Sequence, residues 1–211
     1  MKDLPIRFIR WERTHRIIPV RRDDQRVFDL LGKPGDFDPL DALDQSTREP
    51  RAKPRDHANE TFRYQSKSRF SDGTFGVYYA ARRLTTALKE SIYHRELFLG
   101  DTQQPPLRVY ARLLLATVTG RFHDLRKKQA THADLYSPRR GDYAASQKYG
   151  VQLKEEGAKG LCYDSVRDPG GTCVAVFERS CVSHCREERW FEYRWDGRRV
   201  ADVYELRSFF E

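Results

Sequence analysis

Residues 69–91 have the pattern of a buried strand followed by an amphipathic helix, and three of their polar side chains are suited to chemistry. Arg69 precedes the apolar run, Tyr79 lies within it, and Glu90 lies in the helix that follows. Packing alone would favour aliphatic residues here, so this cation, phenol and carboxylate are candidates for binding or catalysis. Glu90 flanks the apolar face one turn before His94, which gives the helix an ionisable pair beside its buried side.

Each of these residues also has a purely structural explanation. A glutamate at the edge of an apolar face is usually solvated or salt-bridged, and Glu90 could pair with an arginine of the same helix. His94 could pair with Glu90 or simply pack within a layer. Tyr78 points to the opposite face of the strand from Tyr79, and it is expected in the core.

A second polar group follows in the C-terminal half. Two β-type runs, GLCYDSV (160–166) and GTCVAVF (171–177), flank RDPGG, whose aspartate, proline and glycines predict a turn. Ser165 lies near the end of the first run. Arg167, two residues further along the same face, could contact a phosphate or be a solvated charge at the end of a strand.

The elements that position these residues can be read from the periodicity of the sequence. Apolar runs over 75–81 and 107–118 are typical of strands. Helices are predicted over 82–100 and 143–157, each ending at a glycine. Alternating aromatic residues around Asp196-Gly197 indicate a β-hairpin. Strands and helices that do not strictly alternate predict an α+β domain, with a mixed or antiparallel sheet core and flanking helices.

The chain is expected to divide into an N-terminal arm, residues 1–65, and a denser body, residues 66–211. The arm carries scattered apolar residues, and a short helix is predicted over 23–31, where Gly32 stops it. Residues 46–68 are polar, charged, proline-containing and aperiodic, which is typical of a mobile loop or linker.

Composition narrows the classes of protein to consider. The 211 residues include 39 Lys and Arg against 31 Asp and Glu, a formal net charge of +8. This balance suits polyanionic partners such as nucleic acids, phosphate-rich small molecules and acidic proteins. The longest apolar runs fall far short of the roughly 20 residues of a membrane helix. The N-terminus lacks a signal-peptide pattern, so a cytoplasmic location is expected.

The four cysteines are expected to stay reduced in such a compartment. Cys181 and Cys185 flank His184 in CVSHC, a spacing that could contribute to a metal site. A zinc site needs a second pair of ligands, and none is obvious, so buried or incidental cysteines are the favoured interpretation.

The polar segments together resemble the RES domain family, which is named for its arginine, glutamate and serine. The first signature of that family is an arginine, a tyrosine ten residues later, and a glutamate eleven residues after the tyrosine. Arg69, Tyr79 and Glu90 reproduce both intervals. The family's serine, in a strand near the C-terminal part of the domain, corresponds to Ser165. The resemblance covers residues 69–178.

The resemblance implies a fold related to ADP-ribosylating toxins and an activity on NAD+. Members of the family are mostly toxins of bacterial toxin–antitoxin pairs, encoded beside an Xre-type helix-turn-helix antitoxin. The expected partner is therefore such an antitoxin in a hetero-oligomer, with DNA contacted only through it. NAD+ is expected as the substrate, and no metal is needed because the positive charge of nicotinamide already activates it as a leaving group.

The resemblance also suggests a role for each residue. Arg69 would grip the pyrophosphate of NAD+, and the ring of Tyr79 would stack on nicotinamide. Glu90 would stabilise oxocarbenium character on the ribose while holding its hydroxyls. Ser165 would position a ribose hydroxyl or the carboxamide, or orient Glu90 or Arg69. Two further side chains are candidates for binding the substrate: Arg167 and His94.

Three functions remain to be distinguished at this point. The first is cleavage of the nicotinamide–ribose bond, by an NAD+ glycohydrolase or phosphorylase that an antitoxin neutralises. The second is an ADP-ribosyltransferase that modifies a protein with the same residues. The third is a basic nucleic-acid-binding protein, since RWFEYRWDGRR interleaves arginine with aromatic residues. Basic residues spread over the whole chain and the lack of a helix-turn-helix motif argue against this third function.

Overall fold

A mostly antiparallel sheet and three helices make up the part of the chain that the computed structural model describes, residues 4–20 and 57–207. Within these ranges the chain forms two compact units. The first unit comprises residues 4–16, 57–90 and 115–186, and the second comprises residues 17–20, 91–114 and 187–207.

The strands and helices have the following bounds. The strands are β1 (Ile6–Pro19), β2 (Lys67–Ser68), β3 (Ser71–Asp72), β4 (Tyr78–Ala81), β5 (Leu107–Asp124), β6 (Gly160–Asp164), β7 (Thr172–Val176), β8 (Val182–Trp195) and β9 (Val200–Leu206). The α-helices of the described residues are α1 (His57–Arg63), α2 (Leu84–Asp101) and α3 (Ala144–Glu155). Short 3₁₀ helices cover Ala133–Tyr136, Arg140–Asp142 and Arg179–Cys181.

The sheet is mixed, as the sequence predicts. In the first unit the strands follow the order β1-β4-β7-β6-β5, and β1 also pairs with β5. The β4–β7 and β6–β7 pairs are antiparallel, whereas β5 and β6 run parallel. In the second unit the order is β5-β8-β9. The predicted α+β class is therefore confirmed.

The core of the first unit forms where the inward faces of these strands meet. Its members are mostly small or β-branched residues of the central strands, among them Val174 and Val176 of β7, and such side chains pack well on a pleated surface. Tyr78 is completely buried in this core, so the prediction that it is a core residue is confirmed. Burial also raises the pKa of its hydroxyl well above the usual value.

The second unit has its own small core and a hairpin. Val20 and Tyr110 are buried, with Trp190 and Leu206 packed against them. β8 and β9 pair antiparallel, and the Asp196 carboxylate accepts hydrogen bonds from the backbone of the turn between them. The predicted hairpin is thus present.

None of the helices in the described ranges has the length and apolar character of a membrane span.

Two elements differ from the sequence-based expectation. β1 is a 14-residue strand in a segment whose apolar residues look merely scattered. Few of its side chains are buried, chiefly Ile9, Trp11 and Thr14, so the alternation is sparse. α1 forms within the segment 46–68 that is predicted as a loop; it buries only its first two residues, which leaves little periodic signal. The helix predicted over 23–31 lies outside the described residues, and the division at residue 65 stays a prediction.

Candidate active site

Glu90 and Ser165 meet although they are 75 residues apart in the chain. α2 carries Glu90 at a half-buried position, and Ser165 follows β6 directly, at 7% exposure. The Ser165 hydroxyl donates a hydrogen bond to Glu90 Oε1 over 2.6 Å. A bond this short from a hydroxyl to a carboxylate is charge-assisted, so it fixes one oxygen of Glu90 in place.

The same hydroxyl oxygen also accepts two backbone hydrogen bonds. The N–H groups of Arg167 and Asp168 donate to Ser165 Oγ over 3.1 and 3.0 Å. A hydroxyl has one proton and two acceptor lone pairs. Because both backbone groups occupy the acceptor side, the proton of Ser165 is directed to Glu90.

Asp168 connects the turn after Ser165 to α2. Its carboxylate is buried, at 6% exposure of the residue, and it accepts hydrogen bonds from Lys89 Nζ over 2.7 Å and Thr86 Oγ1 over 2.6 Å. Arg83 Nη2 adds an ion pair at 3.1 Å. The Lys89 and Thr86 hydrogen bonds lower the pKa of the Asp168 carboxyl, so it is ionised at neutral pH.

Arg69 is buried, and its guanidinium donates three hydrogen bonds to a single segment of the chain. Its Nη1 donates to the carbonyl oxygens of Leu135 and Ser137 over 3.2 and 3.0 Å, and its Nη2 donates to the Tyr143 hydroxyl over 3.1 Å. The guanidinium also lies over the Tyr143 ring, 4.3 Å from its centroid, a favourable cation–π geometry. Arg69 therefore holds the 135–143 segment in position.

Tyr79 uses its hydroxyl to fix the residues around Arg69. The hydroxyl oxygen accepts a hydrogen bond from the Phe70 N–H over 2.9 Å and lies 2.9 Å from Ser68 Oγ. Burial raises the pKa of this phenol to about 12, so it stays neutral at physiological pH. The ring of Tyr79 is half-buried. Its role in stacking on nicotinamide stays a prediction.

Two buried side chains, those of Tyr163 and Cys173, interact electrostatically with both Glu90 and Arg69. The Tyr163 phenol and the Cys173 thiol have pKa values raised well above their ordinary range, chiefly by burial. The negative charge of Glu90 raises both values further, and the positive charge of Arg69 opposes that effect on both. The carboxylate and the guanidinium thus both act on the same buried region, where charges interact more strongly than in water.

The two remaining candidates lie in different places. Arg167 is half-buried in the turn after Ser165, and its guanidinium donates to the carbonyl oxygen of Pro138. It thereby joins this turn to the segment that Arg69 holds. His94 lies on α2 within the second unit and is exposed. Its ring and the Tyr93 ring form an edge-to-face pair, with 5.4 Å between the ring centroids. The structure therefore gathers the predicted residues in the first unit, with His94 as the exception.

The described residues contain no group of three His, Cys, Asp or Glu side chains that could hold a metal ion. All four cysteines are free thiols, and Cys185 is the one among them that is not fully buried. Three of the cysteines are buried, in agreement with the sequence-based interpretation of buried cysteines: Cys162, Cys173 and Cys181.

Sequence reasoning missed two residues that organise this site, Tyr143 and Asp168. Tyr143 appears in the sequence only as the start of a helix, and its contact with Arg69 spans 74 residues, so no local pattern reveals it. Asp168 reads as a turn former within RDPGG. The sequence did offer one signal for the partners of Asp168. Thr86 and Lys89 are three residues apart and therefore share one face of the predicted helix.

A protein-family model matches most of the chain. The RES domain model matches residues 48–196, which include Arg69, Glu90 and Ser165. The chain belongs to the RES domain family. A curated relative of this RES domain protein is "Uncharacterized protein y4oC" of Sinorhizobium fredii, 31% identical over 136 residues. That match covers 64% of the present chain and 55% of the relative, so the chain spans about half the length of the curated relative it matches.

A solved structure is also similar to the RES domain protein. It is a chain in the crystal structure of the M. tuberculosis MbcT-MbcA toxin-antitoxin complex, with a TM-score of 0.48 and 14% sequence identity. The match covers 90% of the present chain and 87% of that chain.

Proposed function

We propose that the protein is an NAD+-consuming toxin that breaks the bond between nicotinamide and ribose and passes the ADP-ribosyl group to water or phosphate. The observation that carries the proposal is the 2.6 Å hydrogen bond from Ser165 to Glu90, formed at a half-buried position of a RES domain. A carboxylate held in one orientation suits a reaction in which positive charge develops at a fixed point.

The chemistry needs little more than this carboxylate. As the C1′–N bond breaks, its electron pair returns to the nicotinamide nitrogen and cancels the positive charge of the ring. The ribose takes on oxocarbenium character, which the negative charge of Glu90 stabilises. Attack by water at C1′ gives ADP-ribose and releases a proton; attack by phosphate gives ADP-ribose phosphate.

Two arginines supply positive charge for the pyrophosphate of NAD+. Arg69 is fixed by its three acceptors, and its positive charge acts on the same buried Cys173 thiol as the charge of Glu90. Arg167 follows Ser165 by two residues and is half-buried. Guanidinium groups match the geometry of phosphate oxygens, so these side chains would hold one end of the substrate while Tyr79 stacks on nicotinamide.

A toxin of this kind needs a partner that restrains it. Because RES proteins are mostly encoded beside an Xre-type helix-turn-helix antitoxin, we expect such an antitoxin to bind the protein in a cytoplasmic hetero-oligomer and to obstruct the site. Co-purification with the product of a neighbouring gene that encodes a small helix-turn-helix protein is the simplest check of this partner.

The function is tested by incubating the protein with NAD+ labelled in the adenosine part and identifying the products by mass. Free nicotinamide with free ADP-ribose or its phosphate supports the proposal. Label on a macromolecule would instead indicate transfer to a protein. Intact NAD+ together with a salt-dependent shift of nucleic acid in a gel would contradict the proposal and favour the nucleic-acid-binding alternative.

A further inference from the structure

The turn that carries Ser165 is closed by its own backbone. Ser165 N–H donates to the carbonyl oxygen of Gly171 over 2.9 Å, and Gly171 N–H donates to the carbonyl oxygen of Asp168 over 2.7 Å. Together with the two N–H groups that bind Ser165 Oγ, these bonds make residues 165–171 one compact unit. The turn therefore moves as a whole, and whatever holds it also holds the Ser165 hydroxyl.

Asp168 is the side chain of this turn that reaches α2. It binds Arg83, which lies directly before α2, and Thr86 and Lys89 in the part of α2 that precedes Glu90. The helix that presents the carboxylate and the turn that presents the hydroxyl are thus joined beside the point where Glu90 and Ser165 meet.

The contact between turn and helix is tight as well as charged. A Cβ atom added to Gly171 would lie 2.7 Å from Thr86 Oγ1 and 2.8 Å from Asp168 Oδ2, closer than real Cβ contacts. Only glycine allows the backbone at position 171 to lie against the Asp168–Thr86 hydrogen bond. The distance between the turn and α2 is therefore fixed. The hydrogen bond between Asp168 and Thr86 holds them together, and the lack of space at position 171 keeps them from moving closer.

We propose that Asp168 is a positioning residue that sets the distance between the Ser165 hydroxyl and the Glu90 carboxylate by fixing the 165–171 turn to α2. Its effect on turnover rests on the proposed function, because that effect is exerted on the reaction of Glu90. Asp168 does not itself need to touch the substrate. It acts through Ser165, whose proton reaches Glu90 only while the turn keeps its place.

The test is a double-mutant cycle of Asp168→Ala and Ser165→Ala, with kcat and KM for NAD+ loss as readouts. Asp168→Ala is expected to lower kcat about tenfold or more, comparable to losing a charge-assisted hydrogen bond, with KM nearly unchanged. In the Ser165→Ala background, Asp168→Ala should cost little more, because both changes remove the same interaction. Fully additive losses, or a rise in KM alone, would overturn the proposal.

Asp124→Ala is the matched control for losing a buried, ion-paired aspartate. Asp124 is 8% exposed and pairs with Arg126 and Arg7 in the same unit, but its partners lie on other elements than α2. This variant should lose stability while keeping the kcat of the wild type. If it lowers kcat as much as Asp168→Ala does, the effect of Asp168 is only structural and the proposal fails.

A milder pair of variants guards against misfolding of Asp168→Ala. Thr86→Val removes the hydroxyl that donates to Asp168 while keeping the shape of the side chain, and Thr86→Ser keeps the hydroxyl. We expect Thr86→Val to lower kcat several-fold and Thr86→Ser to restore it. Equal activity of the two variants would contradict the proposed clamp.

Crystal structures of Asp168→Ala and Thr86→Val separate this inference from the proposed function, since they need no turnover. The distance from Ser165 Oγ to Glu90 Oε1 is expected to lengthen beyond hydrogen-bonding range, about 3.5 Å, in at least Asp168→Ala. An unchanged distance would overturn the positioning role. A wild-type protein that leaves NAD+ intact would overturn the proposed function, while this distance would still decide the role of Asp168.

Discussion

Glu90 and Arg69 are held in different ways, and this difference decides what a substitution at each position can measure. Glu90 is half-buried and receives the Ser165 hydroxyl on one oxygen. Arg69 is buried and donates to two backbone carbonyls and a tyrosine hydroxyl. A change at Glu90 therefore removes a charge from the site, whereas a change at Arg69 also removes the support of a neighbouring segment.

Replacing Arg69 by alanine is accordingly expected to destabilise the protein. The sequence suggests for Arg69 only a role in gripping the pyrophosphate of NAD+, but the structure adds three acceptors that would lose their donor. We expect the free energy of unfolding to fall by roughly 2–4 kcal/mol, measured by urea denaturation. Arg121→Ala, at an exposed position of β5, is the control; equal stability of the two variants would show that the Arg69 hydrogen bonds contribute nothing.

At the scale of elements, the packing of α3 against the segment that carries Arg69 depends on a glycine. A Cβ atom on Gly150 would lie 2.0 Å from the carbonyl oxygen of Phe70, the residue after Arg69. Gly150→Ala must therefore push the helix away, and overpacking of this kind costs roughly 1–3 kcal/mol. We expect lower stability in urea and lower NAD+ turnover.

Gly141→Ala is the control for this prediction, because a Cβ atom there would meet nothing within 4 Å. It should leave both stability and turnover nearly unchanged. If Gly150→Ala matches Gly141→Ala in both measurements, the close approach of α3 to Phe70 does not position the site.

The elements that sequence predicts well are those with strong local patterns. α2 and α3 have helical spacing and end close to the glycines that predict their ends, and the hairpin between β8 and β9 follows Asp196-Gly197. β1 was missed because only a few of its residues are buried, so its strand character depends on the partners β4 and β5. Local pattern cannot supply a partner that lies some sixty or more residues away.

The same reasoning explains which site residues could be predicted. Arg69, Tyr79 and Glu90 stand at intervals that resemble a known signature, so spacing reveals them. Their connections depend on the tertiary structure: Tyr143 reaches Arg69 only after the chain folds, and Asp168 reaches α2 across 82 residues to Thr86. The sequence therefore indicated the residues that could act on a substrate, but not the residues that hold them in place.

For the whole molecule, alkaline pH is expected to weaken the fold. Burial raises the pKa of the Cys162 thiol from 9.0 to about 12 and the pKa of the Tyr136 phenol from 10.0 to about 12. As pH rises above 9 the unfolded chain releases protons that the folded chain retains, so the free energy of unfolding falls. Below pH 9 the contribution is fully present.

Urea denaturation at pH 8.0 and at about pH 10.5 measures this effect. Cys162→Ala should show a smaller loss of stability between the two pH values than the wild type, because one of the titrating groups is gone. A wild-type protein that is equally stable at both pH values would contradict burial of these groups in the folded state.

The central claim is that Glu90 stabilises the reacting ribose of NAD+, and nicotinamide release tests it most directly. The rate is compared between the wild type, Glu90→Gln, and Glu155→Gln, which changes an exposed glutamate of α3. We predict equal rates for the wild type and Glu155→Gln and a rate at least about 100-fold lower for Glu90→Gln, since the neutral amide cannot stabilise the oxocarbenium charge. Nicotinamide release by Glu90→Gln at the wild-type rate would contradict the account.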